Sequence, residues 1–361
     1  MPSPSAALFC PGITEAVELL QPVNAPSMKM SNVGFLESLL TDVNRAGLSP
    51  AAGKLSRDGH TMEWTVTATQ RRTPDDVSEE AECLAGETPV AISQTILSDE
   101  IATDALSFSY ADITKFCAEY TSGGAQLGTM PGTFMNGMVR QIMTMMDALR
   151  MKIDRKLLTL ALPTIRQATT GYPQGFVALD MIDGANGGAA LQSAYSTIGR
   201  NTDDASMGKP LIFIGQGVVS DWFRQLGIGC CNNIGGDLSK IVSAGQYLYF
   251  NDQNGDLILD TDNFFVYEPS AYQFLYQTLN EGANFGQIEN SFYFTMPDPK
   301  IPGLFYDAIY TEKACGDNLQ PSVSLQLISR FGLFATMDDA YSSTDPLFNF
   351  QGSLGYLGQT I

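Results

Sequence analysis

The stretch TFMNGMVRQIMTMMDALRMKIDRKLLTLAL, residues 133–162, carries the longest helical pattern in the chain. Its apolar side chains recur every three or four residues and would share one face of a helix. They are Met135, Met138, Val139, Ile142, Met145, Met146, Leu149, Ile153, Leu157 and Leu160. Pro163 is expected to end the helix, because proline lacks the backbone N–H that would continue it. About thirty residues at a rise of ~1.5 Å predict a rod of about 45 Å.

Positive charge is concentrated on this predicted helix. Six of the chain's 20 basic residues lie between residues 140 and 166, with only Asp147 and Asp154 among them, although the formal net charge is −19. The six are Arg140, Arg150, Lys152, Arg155, Lys156 and Arg166. Basic side chains along one helix indicate an anionic partner, whereas the more acidic second half of the chain would repel nucleic acid. A solvated flank without a partner is the competing interpretation.

The composition is that of a globular protein with more than one core. The chain has 361 residues, of which 44% are hydrophobic and 16% are charged,. So low a charge content suggests that neighbouring copies of the chain cover part of the surface. No apolar run is long enough to span a membrane, and the N-terminus lacks the basic residues of a secretory signal. Six cysteines without a C-x-x-C arrangement favour reduced thiols in a cytosolic compartment,.

The chain before the long helix predicts an extended arm followed by a β-ribbon. Residues 1–30 contain five prolines, which forbid long helices,. Residues 59–70 alternate polar and apolar side chains, and a second alternating stretch runs from Val90 to Leu97,. Together they predict a two-stranded ribbon over residues 54–107. Such a ribbon is marginal in water and needs another surface to lie on.

The remaining patterns predict mixed α and β structure. Asn254-Gly255 supplies the positive φ of a hairpin turn within YLYFNDQNGDLILD, residues 247–260,. Ser109, with Asp112 three residues later, resembles the capping box that starts a helix. Further expected elements are helices at 34–44, 192–198, 218–226 and 270–280, and strands at 210–214, 305–315 and 322–335.

Two features bear on catalytic or nucleotide chemistry, and neither favours it. A strand followed by Gly215-x-Gly217 imitates the start of a dinucleotide-binding unit. The third glycine position is Ser220 and no βαβ continuation follows, so a tight strand-to-helix turn is favoured. His60 is the only histidine, which removes most hydrolytic triads and histidine-based metal sites,.

A calcium loop is suggested within the predicted hairpin. Asp252, Asn254 and Asp256 resemble the opening of such a loop, but Leu257 stands where its glycine is required,. A hairpin turn accounts for these residues without a metal. Calcium binding stays an open alternative for the acids Asp252, Asp256 and Asp260.

The order of the segments is more informative than any single motif. An arm, a ribbon with a charged tip, a long helix with basic side chains, an acidic α/β lobe and paired long strands follow one another. The chain also contains the phrases GIGCCNNIGGDLS at 227–239 and YDAIYTEKACGD…SRFGLFATMDDAY at 306–341. Together these features resemble the major capsid protein of tailed bacteriophages, whose Hong Kong ninety-seven fold is shared with encapsulins.

The resemblance implies an α+β capsid fold over essentially the whole chain. Its expected parts are an N-terminal arm at 1–53, an extended loop at 54–107, a peripheral domain at 108–179 and 301–361 with its spine helix at 133–162, and an axial α/β domain at 180–300. It also implies self-assembly into pentamers and hexamers of an icosahedral shell enclosing double-stranded DNA, in a virion assembled in the host cytoplasm. No enzymatic activity, cofactor, metal or membrane contact is expected.

Two sets of contact residues follow from the resemblance. The ribbon residues expected to touch a neighbouring subunit are Trp64, Arg71, Arg72, Asp75 and Asp76. The residues expected to face the genome, without reading its sequence, are Arg140, Arg150, Lys152, Arg155 and Lys156. Portal, decoration and scaffolding proteins are further expected partners, the scaffold being a separate protein or absent. A lysine cross-link from the ribbon is not expected, because residues 55–107 contain no lysine.

Two other classes of protein remain open. A tail-tube or fibre component of a phage would form rings or rods instead of shells. A cytosolic α/β enzyme would need convergent polar groups in a pocket, which a single histidine disfavours.

Overall fold

The structure, a computed structural model, describes residue 12 and residues 30–41, 54–55, 62–69, 91–122, 133–182, 188–205, 207–216, 247–260, 262–269, 271–278, 286–288, 291–313, 322–335 and 352–360. Within these ranges the helices are α1 (Gly34–Leu39), α2 (Tyr110–Ser122), α3 (Thr133–Ala161), α4 (Gly188–Asp204) and α5 (Gly255–Ile258). The strands are β1 (Lys54–Leu55), β2 (Met62–Thr69), β3 (Ala91–Leu97), β4 (Asp99–Ala102), β5 (Leu106–Ser109), β6 (Arg166–Gln167), β7 (Phe176–Ile182), β8 (Leu211–Gly215), β9 (Tyr247–Asn251), β10 (Asn263–Tyr267), β11 (Tyr272–Tyr276), β12 (Gly286–Ile288), β13 (Ser291–Pro297), β14 (Phe305–Lys313), β15 (Ser322–Ala335) and β16 (Ser353–Thr360).

The long helix α3 confirms the strongest prediction from the sequence. It has 29 residues, and its buried side chains recur every three or four positions,. They include Met138, Val139, Ile142, Met146, Leu149, Ile153 and Leu157. A single 3-10 turn, Leu162–Thr164, follows the helix and contains Pro163, and the chain is extended again at Ile165. The proline therefore ends the helix as expected.

A seven-stranded antiparallel sheet shares its core with the apolar face of α3. The long strand β15 lies at its centre: one edge pairs with β14 and then β11, and the other with β5 and then β4. β13 and β12 continue the sheet beyond β14. Side chains that alternate along β14 and β15 belong to this core, among them Ala308, Tyr310, Val323, Leu325 and Leu327,.

A second sheet, of six strands, has a core on each face. Its order is β6-β16-β10-β8-β9, with β7 also paired to β16. β8 and β10 are buried at every position, because both faces are covered,. One face contributes Ile212, Ile214, Phe265 and Tyr267 to the core around α3. The other packs against α4 through Leu211, Phe213, Phe264 and Val266. The chain is therefore an α+β protein, as predicted.

The two sheets do not follow the expected division of the chain at residue 300. β13 pairs along its whole length with β14, although the boundary separates these two strands. β16 comes from the C-terminal end but pairs with β10, inside the region expected to be axial. The division into peripheral and axial domains stays a prediction, and these two strands would cross it.

Two local predictions are wrong. Residues 247–260 do not form a hairpin, because β9 pairs in parallel with β8 and α5 begins at Gly255. Asn254 is helical (φ −88°, ψ −8°), since its N–H and side chain are bonded to buried carboxylates. Residues 272–276, predicted as helix, form β11 because β15 offers them a pairing edge. In both places a tertiary partner overrides the local pattern.

Other predicted elements are confirmed or lie outside the described residues. Ser109 Oγ donates to Asp112 Oδ2 (2.7 Å) and accepts from the Asp112 N–H (3.2 Å), which is the predicted capping box,. The helix predicted at 192–198 is the longer α4, and the one predicted at 34–44 is the shorter α1. The helix predicted at 218–226 lies outside the described residues. In the described ranges, no helix is both long and apolar enough to cross a membrane.

Candidate assembly surfaces and chain anchors

The ribbon is docked at its base on the body of its own chain. β2 and β3 pair antiparallel with Trp64 opposite Ile96, so the two side chains share one face,. Trp64 is only 3% exposed and forms a small apolar cluster with Met62, Leu275 and Phe334. Its predicted contact with a neighbouring subunit is therefore wrong. Alternation along the strand identified the apolar face but not the surface that covers it.

Gly332 on β15 gives the ribbon room to approach. A Cβ at this position would lie 2.9 Å from Ile96 Cγ2 and 3.4 Å from Trp64 Cζ3. Arg330, two residues earlier, joins the strands on both sides of β15. Its Nε pairs with Glu100 on β4 (2.8 Å) and its Nη1 with Asp307 on β14 (3.1 Å). β15 therefore supports the ribbon base and also binds β4, the strand that follows the ribbon in the chain.

The opposite face of the ribbon base is open. Thr65 and Thr95 are paired across the two strands and both are exposed. Leu97, paired with Glu63, is 61% exposed. The tip residues Arg71, Arg72, Asp75 and Asp76 lie outside the described residues, so their contact with a neighbouring subunit stays a prediction.

The outer face of α3 presents positive charge. Its exposed basic residues are Arg140, Lys152, Arg155 and, in part, Lys156. The only two acids of the helix turn inward: Asp147 pairs with Arg150, and Asp154 is fully buried. The helix therefore contributes cations and no carboxylates to its outer face.

Two of these cations also touch neighbouring segments. Arg155 Nε donates to Asn254 Oδ1 (2.7 Å), and Lys156 Nζ lies 3.5 Å from Asp99 on β4. Exposed pairs of this kind add at most about 1 kcal/mol and leave the charge at the surface. Contact of this face with a genome stays a prediction.

Arg150 lies on the inner face of α3, so its predicted genome-facing role is wrong. It is fully buried, four residues after Met146 and three before Ile153 on the apolar stripe,. Its Nη1 donates to both carboxylate oxygens of Asp298 (3.1 and 3.2 Å), and its Nη2 donates to Asp147. A charged group can be buried at this depth only when it is paired in this way.

Asp298 is the hub of this buried network. Tyr306 Oη donates to its Oδ2 (2.6 Å), and the N–H groups of Lys300 and Ile301 both donate to its Oδ1 (2.8 Å each). Burial alone lowers the pKa of Arg150, but Asp298 and the other negative neighbours raise it above its ordinary value. Burial raises the pKa of Tyr306 well above its ordinary value, and Asp298 raises it further. Arg150 is therefore charged and Tyr306 neutral, as their hydrogen bonds require.

Residues 30–41, which contain α1, are held on α3 at two anchors. At the first, Asp147 accepts hydrogen bonds from the Ser31 N–H (3.0 Å) and hydroxyl (2.8 Å). Lys300 Nζ donates to the Ser31 carbonyl (2.8 Å) and pairs with Glu37 (2.8 Å). The Arg150 network therefore extends, through Asp147, to the N-terminal segment.

The second anchor is a pair of buried carboxylates, Asp154 and Asp252. The Leu36 N–H donates to Asp154 Oδ1 (3.0 Å), and the Phe35 N–H donates to Asp252 Oδ2 (2.8 Å). Burial raises the pKa of both acids, that of Asp154 well above its ordinary value. The segment also passes close to β9, since a Cβ on Gly34 would lie 2.8 Å from the backbone there. Neither anchor was predicted from the sequence.

In the described residues, the acids considered as calcium ligands are not arranged as a metal site. Asp252 bonds the first turn of α1, while Asp260 lies at the end of α5 with a left-handed backbone (φ 71°). In the part of the chain that the structure describes, no three His, Cys, Asp or Glu side chains are placed to hold a metal. The other motif residues, His60, Gly217 and Ser220, lie outside the described residues.

Known proteins resemble this chain in structure but not in sequence. No protein-family model and no curated protein matches it. The capsid of Myoviridae phage XM1 is 13% identical with a TM-score of 0.43, over 92% of this chain and 94% of that chain. The capsid of Ralstonia phage GP4 is 11% identical with a TM-score of 0.43, over 92% of both chains. A chain from Mycobacterium phage Bobi is 10% identical with a TM-score of 0.45, also over 92% of both.

Proposed function

We propose that this chain is the major capsid protein of a tailed bacteriophage, and that it assembles into the pentamers and hexamers of an icosahedral shell. The main observation behind the proposal is the ribbon, which has one covered and one exposed face. Its base is docked on β15 through Trp64, whereas the opposite face, including Leu97, is exposed. A two-stranded ribbon is marginal by itself, so neighbouring copies of the chain are its natural support.

The outer face of α3 supports double-stranded DNA as the content of the shell. Arg140, Lys152 and Arg155 are exposed there, while the two acids of the helix are turned into the protein. Cations on a rigid rod would contact phosphates without reading bases. Within this proposal the shell forms in the host cytoplasm with a portal and a separate scaffolding protein or none, and the chain has a structural rather than a catalytic role.

Electron microscopy of the purified chain, alone and co-expressed with the neighbouring phage structural proteins, tests the proposal. Closed shells of uniform diameter are expected. Rings or rods would instead favour a tail-tube or fibre component. Monomers that persist under both conditions would overturn the capsid role.

A pair of matched variants tests whether the ribbon makes the contact. Leu97→Glu places a charge on the outward face of the ribbon, and Leu257→Glu does the same on α5, where the leucine is equally exposed (62% against 61%). Both should melt like the parent chain, because neither side chain is packed. Only Leu97→Glu should lower the yield of shells measured by sedimentation. An equal loss of shells in both variants would contradict the ribbon contact.

A further inference from the structure

Two buried acids meet where α1 joins the long helix. Asp154 on α3 and Asp252 after β9 are both fully buried, and they are neighbours, because Asn254 donates a hydrogen bond to each of them. Each accepts one backbone N–H from the first turn of α1, Leu36 to Asp154 and Phe35 to Asp252. Two buried carboxylates with a common donor residue repel each other when both are ionised. One proton held between them removes this repulsion and lets one oxygen donate to the other.

Asn254 closes the arrangement with its own donors. Its side-chain Nδ2 donates to Asp154 Oδ2 (2.7 Å), and its backbone N–H donates to Asp252 Oδ1 (2.8 Å). Its Oδ1 is occupied by Arg155, whose Nε donates to it (2.7 Å). The asparagine thus lies between Arg155 and the two acids.

The charged groups around the pair do not neutralise it. α1 contributes Glu37, which raises the pKa of Asp252 and is itself paired with Lys300. α3 contributes Arg155, which reaches the pair only through Asn254. Among the described residues, no lysine or arginine forms an ion pair with either acid. Two full negative charges at this depth would therefore be uncompensated.

We propose that Asp154 and Asp252 share one proton, and that this acid–carboxylate pair is a lock that holds α1 on the long helix. The proton makes an O–H···O⁻ bond between the two side chains, the strong charge-assisted kind. The remaining negative charge is stabilised by the N–H groups of Phe35, Leu36 and Asn254. The second anchor of the N-terminal segment thereby depends on a single bound proton.

The lock makes the stability of the folded chain depend on pH in an unusual direction. Burial raises the pKa of Asp154 well above its ordinary value, and the charge of Asp252 raises it further. The folded chain therefore holds this proton more tightly than the unfolded chain does. The stabilisation is complete below the pKa of an unfolded aspartate and is lost as the pH rises through the raised pKa of the pair. Carboxylates that are paired with cations have a lowered pKa and show the opposite dependence.

Infrared spectroscopy of the whole chain tests the shared proton directly. At about pH 6, where an ordinary aspartate is ionised, the parent protein should show the carbonyl band of a protonated carboxylic acid. The band should be lost in Asp154→Asn and in Asp252→Asn. It should persist in Asp203→Asn, a control that removes one exposed carboxylate of α4, which is paired with Lys209. Absence of the band in the parent, or its survival in both pair variants, would overturn the proposal.

The pH dependence of unfolding separates the lock from a purely structural role. The urea midpoint of the parent and of Asp203→Asn should fall as the pH rises above the ordinary range of an aspartate and the pair loses its proton. The midpoint of Asp154→Asn should change less over the same range, whatever its absolute value. If the pair variants do not fold, reversible loss of the acid band in the parent on alkaline titration decides the question. A band that does not titrate, or equal slopes in all three proteins, would refute the lock.

Discussion

The ribbon base and the N-terminal segment are both packed on the same body, but only the N-terminal segment is also held by carboxylates of the long helix. The ribbon base rests on an apolar cluster around Trp64, with Gly332 allowing a close approach. Residues 31–37 place Phe35 and Leu36 in the main core and are in addition hydrogen-bonded to Asp147 and Asp154 on α3. Apolar burial is non-directional, whereas hydrogen bonds fix an angle. The hydrogen bonds to α3 therefore fix the direction of the N-terminal segment as well as its position.

The largest loss of stability is expected from a substitution in the buried charge network around Arg150. Asp298→Asn would leave Arg150 fully buried with half of its compensating charge removed. Breaking a buried pair in this way typically costs about 3–5 kcal/mol of unfolding free energy. Urea denaturation measures the loss. Asp203→Asn, which breaks an exposed pair with Lys209, should cost at most about 1 kcal/mol,. Similar losses in both variants would show that the buried network is not the stronger anchor.

A smaller and more local loss of stability is expected from a substitution in the apolar cluster under the ribbon base. Trp64→Ala empties the cluster under the ribbon and should cost about 3 kcal/mol, at the low end for a buried tryptophan because the cluster is small,. Hydrogen exchange should speed up in β2 and β3 but not in α3, whose core is separate. Equal acceleration in α3 would mean that the ribbon base is part of the main core.

The close packing of the ribbon on Gly332 can be tested by adding a methyl group at this position. Gly332→Ala places a Cβ 2.9 Å from Ile96 Cγ2, and overpacking of this kind costs about 1–3 kcal/mol,. Adding Ile96→Ala removes the clashing atom and should recover part of the loss. Gly137→Ala is the control, since its Cβ meets nothing within 4 Å on the exposed face of α3. It should stabilise the helix by up to about 1 kcal/mol. Thermal melting of the four proteins decides between these outcomes.

The parts of the fold that the sequence predicts are those with a clean period. α3 and the ribbon strands β2 and β3 repeat at 3.6 and 2 residues, and both were confirmed,. β11 was mistaken for a helix because its structure depends on a distant partner, β15. No local pattern contains that information.

The anchors were missed for a different reason. Asp147, Arg150 and Asp154 are spaced by three and four residues, so they form one line along α3,. Their spacing places them on the apolar face of α3 and so indicates burial. Arg150 was instead grouped by its charge with the exposed basic residues and was predicted to face the genome. Their partners, Asp298 and Asp252, lie about 100–150 residues away, so the pairing itself could not be read from the sequence.

The smallest effect on stability is expected from the exposed basic residues of α3 that take no part in either anchor. Arg140 and Lys152 are exposed, so Arg140→Gln with Lys152→Gln should change the unfolding free energy by less than about 0.5 kcal/mol,. The same variant should bind double-stranded DNA more weakly, and the slope of log affinity against log salt should become about two units shallower, because two phosphate contacts are lost. Fluorescence anisotropy across a salt series measures this on assembled and on soluble protein. Lys209→Gln, a lysine outside α3, should leave the slope unchanged. If it weakens binding as much as the α3 variant does, attraction to DNA is spread over the surface and the outer face of α3 has no special role.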